Sequence, residues 1–244
     1  MMTGNVRDGV KISAGDKRFF LDCLHHRFLT QEHARKLISP GSAPVPQGQR
    51  PALYFRLRRL VKAGYLRRQL LHGHAVYLLD KRGFDEIRDM NKYNLFLVQQ
   101  KELKDVEHDL LVADVRYYFE QHAKVEWISE RSILLHPKKL VHVPDGGFIL
   151  GQTTVGVEVE LTRKSIERYR ELVQYYALKG PQRVVYFYRD LAVVSPFIDM
   201  TRHMERLGFF PFSKDPPPMD QIIGQTQGRR VQLDQFLGHD NPQR

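Results

Sequence analysis

Three carboxylates in this chain are spaced so that a β-hairpin would bring them together. Asp145 precedes a predicted strand over 148–150. Glu158 and Glu160 alternate with apolar residues in the next predicted strand. Side chains alternate across a strand with period two, so both glutamates point to the same face. Neighbouring carboxylates repel one another unless a cation neutralises them, and hard oxygen ligands suit Mg²⁺ or Mn²⁺. The spacing therefore indicates a divalent metal site suited to phosphodiester cleavage.

The elements that must position these carboxylates form a series of helices and strands. The patterns predict a helix over 101–122, strands over 125–129 and 134–143, the Asp145 hairpin, a helix over 163–178, a strand over 183–188 and a helix over 196–207. Residues 211–244 contain Pro216-Pro217-Pro218 and then polar, Gly-rich sequence. We expect this tail to be weakly structured or to lie against the body of the protein. The order is α-β-β-β-α-β-α.

The N-terminal third has a different pattern, of short helices and a hairpin. The sequence predicts helices over 16–26, 31–38 and 50–63, a hairpin with strands over 65–71 and 75–79, and a last helix over 80–89. Thr30 and Asp80 are placed as N-caps, and Gly64 as the C-terminal cap of the third helix. Three helices and a hairpin in this order predict a winged helix-turn-helix.

The third predicted helix has an apolar face and a basic face. Leu53, Leu57 and Leu60 are expected to point inward. A basic, hydrogen-bonding face is what a helix in the major groove of DNA needs, and arginines at the start of the hairpin would reach phosphates or a minor groove. The predicted DNA-binding residues are Arg50, Tyr54, Arg56, Arg58, Arg59, Lys62, Arg67 and Arg68. A protein-binding winged helix is the alternative.

Composition and charge support two functions in one chain. The 244 residues carry a net charge of +10 and are 42% hydrophobic, which is enough for real cores. Residues 1–92 hold 18 Lys and Arg against 8 Asp and Glu, whereas residues 93–244 hold 20 of each. The whole excess therefore lies in the N-terminal third, as expected for a nucleic-acid-binding domain beside a neutral one. We expect domains at 1–92 and 93–210, with a tail at 211–244, in an α+β protein.

Cysteine usage and hydropathy exclude some classes of protein. Cys23 is the single cysteine, so no intrachain disulfide can form. No apolar run is long enough to span a membrane, and the N-terminus lacks the apolar core of a signal peptide. We therefore expect a cytoplasmic protein that is not inserted in a membrane.

The pattern around the carboxylates resembles the restriction-endonuclease-like fold. That family carries PD followed by (D/E)XK, and here Pro144-Asp145 matches PD while Glu158 matches the second acidic residue. Glu160 stands where the family's lysine usually stands, which leaves open which group activates water. Lys164, at the start of the next predicted helix, could reach back into the site as a migrated lysine.

Two segments, 107–115 (EHDLLVADV) and 158–165 (EVELTRKS), resemble the MobC class of plasmid mobilisation relaxases. These enzymes are similar to the replication-relaxation family and are related to restriction endonucleases. The resemblance runs from the winged helix to about residue 190. It implies a metal-dependent, site- and strand-specific nick at a plasmid transfer origin. It also implies that the nicked single strand passes to a coupling protein, with an accessory mobilisation protein as a further partner.

The resemblance also implies roles for individual residues. Asp145 and Glu158 would hold Mg²⁺ or Mn²⁺, and Glu160 would be a third ligand or orient the attacking group. Lys164 would stabilise charge on the phosphate or lower the pKa of a water. The first helix of such nucleases often supplies an acidic residue to the metal, and Glu107 is the candidate. His108, where the family tends to carry a histidine, would orient a ligand, contact the scissile phosphate or act as a base.

Other functions remain open from the sequence. The first is a DNA-binding plasmid transcription or replication regulator whose nuclease-like domain is degenerate. The second is a defence-type endonuclease that makes double-strand breaks, which usually needs a symmetric dimer; the chain is expected to be a monomer or a homodimer. A tyrosine nucleophile is the other relaxase chemistry, but no tyrosine stands out. His72 and His74 lie in a hairpin turn without a third zinc ligand nearby.

Overall fold

The computed structural model of the protein describes residues 10–38, 52–103, 105–135, 142–213 and 216–238. The chain forms two compact units, Met1–Ala113 and Asp114–Arg244, and both combine helices with strands. The protein is therefore of mixed α+β class, as predicted. The boundary predicted at residues 92–93 lies inside the first unit. No helix in the described ranges is both long enough and apolar enough to cross a membrane.

The first unit contains short helices and a small antiparallel sheet. Its elements are α1 (Ala14–His26), β1 (Leu29–Thr30), α2 (Gln31–Ile38), α3 (Ala52–Lys62), β2 (Leu66–Leu71), β3 (His74–Leu79), α4 (Lys81–Glu86) and 3₁₀ turns at Arg88–Met90 and Gln100–Glu102. The strands are ordered β1-β3-β2. Helix α5 (Val106–His122) begins in this unit and ends in the second. The helices predicted over 16–26 and 31–38 and the hairpin are confirmed, apart from small shifts at their ends. The helix predicted over 50–63 is confirmed from Ala52, since residues 50 and 51 lie outside the described residues. The last helix, predicted over 80–89, ends at Glu86, and a separate 3₁₀ turn follows.

Helix α1 begins with a capping box. The Ser13 hydroxyl accepts from the Asp16 backbone N–H at 3.2 Å, and the Asp16 carboxylate accepts from the Ser13 N–H at 2.7 Å. The two bonds satisfy backbone donors that the first turn of a helix leaves without partners. Asp16 is also fully buried against the Arg56 guanidinium of α3, which connects the two helices.

The hairpin of β2 and β3 closes with a two-residue turn. Leu71 pairs with His74, so that His72 and Gly73 form the loop. Both loop residues have positive φ angles, 47° and 82°. A type I′ turn requires positive φ at both central residues, and its twist matches that of the two strands. Glycine at position 73 meets this requirement without strain.

The second unit is built on a seven-stranded mixed sheet. Its elements are the end of α5, then β4 (Ile128–Ser129), α6 (Glu130–Leu134), β5 (Gly146–Leu150), β6 (Thr153–Glu160), α7 (Ile166–Leu178), β7 (Arg183–Tyr188), α8 (Leu191–Met200), β8 (Leu207–Pro211), a 3₁₀ turn at Met219–Gln221, β9 (Ile223–Thr226), β10 (Arg229–Gln232) and α9 (Leu233–Leu237). The strand order is β10-β9-β8-β7-β6-β5-β4. Strands β6, β7 and β8 are parallel, and the remaining neighbours are antiparallel.

Helices cover both faces of the central strands. Tyr186 of β7 packs with Phe197 of α8 in the apolar cluster that α7 and α8 form on one face. The next residue, Phe187, packs against Phe119 of α5 on the other face, with ring centroids 5.8 Å apart. Side chains alternate across a strand, so a strand covered on both faces is apolar at successive positions. This explains the continuous apolar run of β7.

The strand predicted over 134–143 is wrong where the structure describes it. Leu134 ends helix α6, and His142 and Val143 belong to no strand. Residues 136–141 lie outside the described residues. The Ser129 hydroxyl accepts from the Ser132 N–H at 3.3 Å, and this cap starts a helix that continues to Leu134, the first residue of the predicted strand.

Two predicted helices begin elsewhere. The helix predicted from residue 101 is interrupted, because a 3₁₀ turn ends at Glu102 and α5 begins at Val106. The helix predicted from residue 163 begins at Ile166, because the Ser165 hydroxyl caps it by accepting from the Arg168 N–H at 3.2 Å. A side-chain cap of this kind fixes the first residue of a helix.

The helix predicted over 196–207 is also shifted. It begins at Leu191, where the Asp190 carboxylate accepts from the Ala192 N–H at 2.9 Å, and it ends at Met200. Proline was expected to start the helix but lies inside it at position 196. Proline cannot donate to the carbonyl four residues earlier. The Ser195 hydroxyl donates to that Ala192 carbonyl instead, at 3.4 Å.

The tail predicted over 211–244 is more ordered than expected. Strands β9 and β10 extend the main sheet, and α9 follows them. Phe209 of β8 pairs with Gln225 of β9. The expectation that the tail lies against the body is therefore confirmed for these strands, and the expectation that it is weakly structured is wrong for them. The pairing partner is distant in sequence and local composition does not reveal it.

Candidate functional site

Asp145 and Glu158 lie on neighbouring strands of the main sheet, on the same face. Gly146 pairs with Val157 in the antiparallel ladder, so the preceding residue, Asp145, is opposite Glu158. Directly opposite residues in a ladder point to one face. The Asp145 carboxylate also accepts from the Val159 backbone N–H at 2.7 Å, which holds its side chain over β6. The structure therefore brings together the first two predicted site residues.

Glu158 is a buried carboxylate with several polar neighbours. Only 7% of the residue is exposed. Burial raises its pKa most, the Asp145 charge raises it further, and the His142 and Tyr176 contacts oppose the rise. The Tyr176 hydroxyl donates to Glu158 Oε1 at 2.6 Å. A buried carboxylate beside a second carboxylate is stabilised by a proton or by a cation.

His142 is a site residue that the sequence analysis missed. Its Nε2 lies 2.5 Å from Glu158 Oε1, and its Nδ1 lies 3.2 Å from an Arg168 guanidinium nitrogen. A guanidinium only donates, so Nδ1 accepts and Nε2 carries the hydrogen that is donated to Glu158. The contacts thus select one tautomer of the neutral imidazole. Its position three residues before Asp145 was the only signal in the sequence, and no periodicity accompanied it.

Tyr176 was also missed as a polar participant, because no tyrosine stood out in the sequence. Its ring does pack, edge to face with Tyr186. Burial and the charge of Glu158 raise the pKa of Tyr176 well above its usual value. The hydroxyl therefore stays protonated and remains a hydrogen-bond donor to the carboxylate.

Glu160 and Lys164 form an ion pair at the end of β6. Glu160 is 4% exposed and pairs with Tyr188 in the parallel ladder, on the same sheet face as Glu158. Lys164 lies in the loop before α7 rather than at the start of the helix, and its backbone N–H donates to the Tyr169 hydroxyl at 3.2 Å. Lys164 thus contacts one of the predicted carboxylates, Glu160, and its role as a migrated lysine stays a prediction.

The donor chemistry of the site fits a hard divalent ion, although the site is not arranged as a metal cage. Within the described ranges, no group of three or more His, Cys, Asp and Glu side chains is placed to hold a metal ion. Glu158 contacts His142, and Glu160 pairs with Lys164. Asp145 and Glu158 are the residues that could hold Mg²⁺ or Mn²⁺ through carboxylate oxygens.

Glu107 and His108 lie in the first compact unit, whereas the other predicted catalytic and metal residues lie in the second. Glu107 is exposed on the first turn of α5. His108 is half-buried, with its Nδ1 3.7 Å from Asp109, and Asp109 accepts from Arg27 at 3.1 Å. Their proposed roles at the metal stay predictions.

Most of the predicted DNA-binding residues are on the surface of the first unit. Leu53, Leu57 and Leu60 are buried, as predicted. The exposed basic residues are Arg58, Arg59 and Lys62 of α3 and Arg67 and Arg68 of β2, while Tyr54 is half-buried. Arg50 lies outside the described residues.

Arg56 was predicted to lie on the basic face of α3, and the structure contradicts this prediction. Its guanidinium donates to Asp16 at 3.1 Å and to the Lys11 carbonyl. Hydrogen bonds from Arg56 and Ser13 outweigh the effect of burial and hold the pKa of Asp16 below its usual value. Arg56 therefore points inward and joins α3 to α1, because a buried carboxylate there needs a partner.

Arg68 of β2 contacts the other strand of its own hairpin, where it donates to the Tyr77 hydroxyl of β3. Strand β2, which carries the exposed hairpin arginines, is itself in contact with α3. Comparisons of the chain with protein-family models, with curated proteins and with solved structures find no match.

Proposed function

We propose that this protein is a divalent-metal-dependent endonuclease that nicks one strand of DNA, as the resemblance to MobC-class mobilisation relaxases implies. The observation that carries the proposal is the pair formed by Asp145 and Glu158 on one face of the sheet. A protein rarely keeps two carboxylates together in a buried place without a cation or a shared proton. Phosphodiester cleavage is a reaction that uses such a cation.

The topology supports the same proposal. Helix α5, strands β4 to β6, helix α7, strand β7 and helix α8 follow the α-β-β-β-α-β-α order of the restriction-endonuclease-like fold, with the short helix α6 inserted. Strands β4, β5 and β6 are antiparallel neighbours, and β7 is parallel to β6. The two carboxylates lie on β6 and immediately before β5, where the resemblance places the PD and (D/E)XK residues.

Each residue of the site has a role in this proposal. Asp145 and Glu158 hold the ion, which supplies Lewis acidity and an activated water. Tyr176 orients Glu158 by donating to one carboxylate oxygen. Lys164 places a positive charge beside Glu160, where it can stabilise the charge that develops on the phosphate. Within the second unit, Glu160 and Lys164 are the candidates for activating the nucleophile.

The first unit is proposed to be a winged helix that positions the DNA. Helix α3 would enter the major groove with Arg58, Arg59 and Lys62, and the β2–β3 hairpin would reach the backbone or the minor groove with Arg67 and Arg68. Their exposure supports this role. The proposed partners are double-stranded DNA of a transfer origin, the nicked strand, a coupling protein and an accessory mobilisation protein.

A nicking assay tests the proposal. The purified full chain is incubated with a supercoiled plasmid carrying its native transfer region, any required accessory protein, and Mg²⁺, Mn²⁺ or EDTA. We expect open circles nicked at one strand-specific position, with no product in EDTA or with Asp145→Ala. Asp199→Ala is the matched control, because Asp199 is exposed and, among the ion pairs of the described chain, pairs only with Arg202 in the turn after α8. Linear product would instead indicate a defence-type endonuclease.

A DNA-binding regulator with a degenerate nuclease domain is the second candidate. One observation favours it, namely that His142 and Lys164 already engage the two buried glutamates. A regulator would bind the same DNA tightly without nicking under any metal, and Asp145→Ala would leave its binding unchanged. That combination of results would replace the nuclease proposal with the regulator.

A further inference from the structure

A pocket of about 430 Å³ opens beside the carboxylate pair. Its floor includes Gly147 of β5 and Gly156 of β6, which pair directly across the ladder. Gly147 follows Asp145 by two residues, and Gly156 precedes Glu158 by two. The two glycines and the two carboxylates therefore lie on the same sheet face. Two residues along a strand span about 7 Å. The pocket is therefore the immediate neighbour of the proposed metal site.

Tyr175 connects the pocket to the site. It lines the pocket, and its ring meets His142 edge to face with centroids 5.6 Å apart. His142 in turn contacts Glu158 at 2.5 Å. Along this path, the Tyr175 and His142 side chains lie between the pocket and Glu158.

The described residues that line the pocket are mostly apolar, and Lys179 is the one cationic residue among them. Ile133, Pro181 and Tyr175 contribute apolar and aromatic surface, and Lys179 is exposed. Neither floor glycine tolerates a side chain, because a Cβ would lie 2.6 Å from the Val155 carbonyl oxygen at position 147 and 2.7 Å from Pro181 at position 156. The volume is within the range of pockets that bind small organic groups, which is roughly 300–1,000 Å³.

We propose that this pocket holds the unpaired base of the nucleotide next to the scissile phosphate. This inference rests on the nicking function proposed above. A base is flat, apolar on both faces and stacks on aromatic side chains, and its phosphate would face the carboxylates and their cation. A base within a duplex cannot enter a pocket of this kind. Single-stranded or locally melted DNA is therefore the substrate class at the cleavage step.

Photocrosslinking of a base in the pocket tests the proposal independently of cleavage. Single-stranded oligonucleotides that tile the transfer region carry iododeoxyuridine at successive positions, and the full chain is irradiated with them in Ca²⁺. Crosslinked peptides are identified by mass spectrometry. We expect a crosslink to Tyr175 from one or two adjacent positions, and no such crosslink when the complementary strand is annealed.

A pair of tryptophan variants provides the matched control. Ile149 lines the outer part of the pocket and is 58% exposed, so Ile149→Trp narrows the pocket with little cost to the core. Leu178→Trp adds the same side chain at a position 82% exposed that does not line the pocket. We expect Ile149→Trp to reduce the Tyr175 crosslink about tenfold, which is the order of one lost base-stacking contact. Leu178→Trp should leave the crosslink unchanged.

The results separate this inference from the proposed function. Strand-specific nicking without a crosslink to Tyr175, or with equal crosslinking of duplex DNA, would overturn the base pocket and leave the nuclease intact. A crosslink that Ile149→Trp does not reduce would also overturn it. A crosslink at Tyr175 without nicking under any metal would support the base pocket and overturn the nuclease.

Discussion

At the scale of single residues, Glu158 is the buried carboxylate that the other polar groups of the site surround. It is buried, it faces a second carboxylate, and it accepts hydrogen bonds from a tyrosine and a histidine. The burial and the Asp145 charge disfavour its ionised form, whereas the two hydrogen bonds favour it. Functional sites are often arranged in this way at a cost to the stability of the fold.

Glu158→Gln should stabilise the fold while it removes nicking. The pKa of Glu158 is raised in the folded state, so the stability that its protonated form contributes is present below the ordinary carboxyl pKa. That stability is lost as pH rises through the raised pKa. Glutamine keeps the acceptor for Tyr176 without the charge. At neutral pH, we expect the free energy of unfolding of Glu158→Gln, measured in urea, to exceed that of the wild type by on the order of 1 kcal/mol.

The control for this variant is Glu171→Gln, because Glu171 is an exposed glutamate of α7 that pairs with Arg168. It should change the free energy of unfolding little at any pH. Equal stability of Glu158→Gln and the wild type across acidic and neutral pH would contradict the raised pKa.

A divalent ion should stabilise the folded protein through Asp145 and Glu158. Binding to the folded state alone adds about 2.7 kcal/mol when the ion is present at a hundred times its dissociation constant. Mn²⁺ should therefore raise the Tm of the wild type, measured by calorimetry, and should not raise that of Asp145→Asn. Asparagine keeps an oxygen that can accept from the Val159 N–H. An equal rise in both proteins would place the ion elsewhere; Asp199→Asn should behave as the wild type does.

At the scale of elements, α3 has two kinds of arginine. Arg56 is directed to the buried Asp16 of α1, whereas Arg58 is exposed. The Arg56–Asp16 contact connects two helices of one unit, whereas the Arg58 side chain is exposed to solvent. Helical periodicity alone separates apolar from polar positions, but it does not tell these two arginines apart.

Arg56→Ala should therefore affect the stability of the fold, whereas Arg58→Ala should affect DNA binding. Arg56→Ala leaves Asp16 buried without its guanidinium and should lower the free energy of unfolding by about 3 kcal/mol. Arg58→Ala should leave unfolding unchanged and weaken DNA binding by about 1–3 kcal/mol if the contact is bidentate to guanine. Urea unfolding and fluorescence anisotropy with transfer-region duplex measure the two. Unchanged affinity in both Arg58→Ala and Arg59→Ala would show that α3 is wrongly assigned.

Strand β5 makes a close contact with Trp127, the single tryptophan of the chain. A Cβ on Gly146 would lie 2.1 Å from the indole ring, so Gly146→Ala must displace it. We expect a loss of about 1–3 kcal/mol in the free energy of unfolding, with a shift in tryptophan fluorescence. Ile149→Ala, at an exposed position of the same strand, is the control. An unshifted spectrum for Gly146→Ala would show that the contact is not present.

At the scale of the whole molecule, the charge is divided along the chain. The net charge of +10 belongs to residues 1–92, and the rest of the chain is neutral. The acidic candidate site and the basic surface are thus kept in different parts of the sequence. In the proposed function, the basic part of the chain would attract DNA, while the part that carries the carboxylates has no net charge.

The salt dependence of DNA binding should follow this division. Each phosphate contact contributes about −0.9 to the slope of log affinity against log salt concentration. Lys62→Ala should reduce the magnitude of that slope by about one contact. Arg229→Ala, which removes an exposed charge from the neutral part of the chain, should leave the slope unchanged. Equal changes from the two variants would contradict a DNA surface confined to the first unit.

The local patterns of the sequence determined the elements that depend on near neighbours. The alternation along β6 placed Glu158 and Glu160 on one face, and periodicity with capping residues located α1, α2 and the β2–β3 hairpin. These features follow from backbone geometry over a few residues, which the sequence specifies directly.

Only the tertiary structure decided which distant residues meet. His142 and Tyr176 reach Glu158 from a loop and a helix at other points of the chain, and Arg56 turns inward because Asp16 is buried beneath it. The C-terminal residues became strands because β8 offered an edge to pair with. Such contacts are selected by burial and by the need to satisfy polar groups, and neither is visible in local spacing.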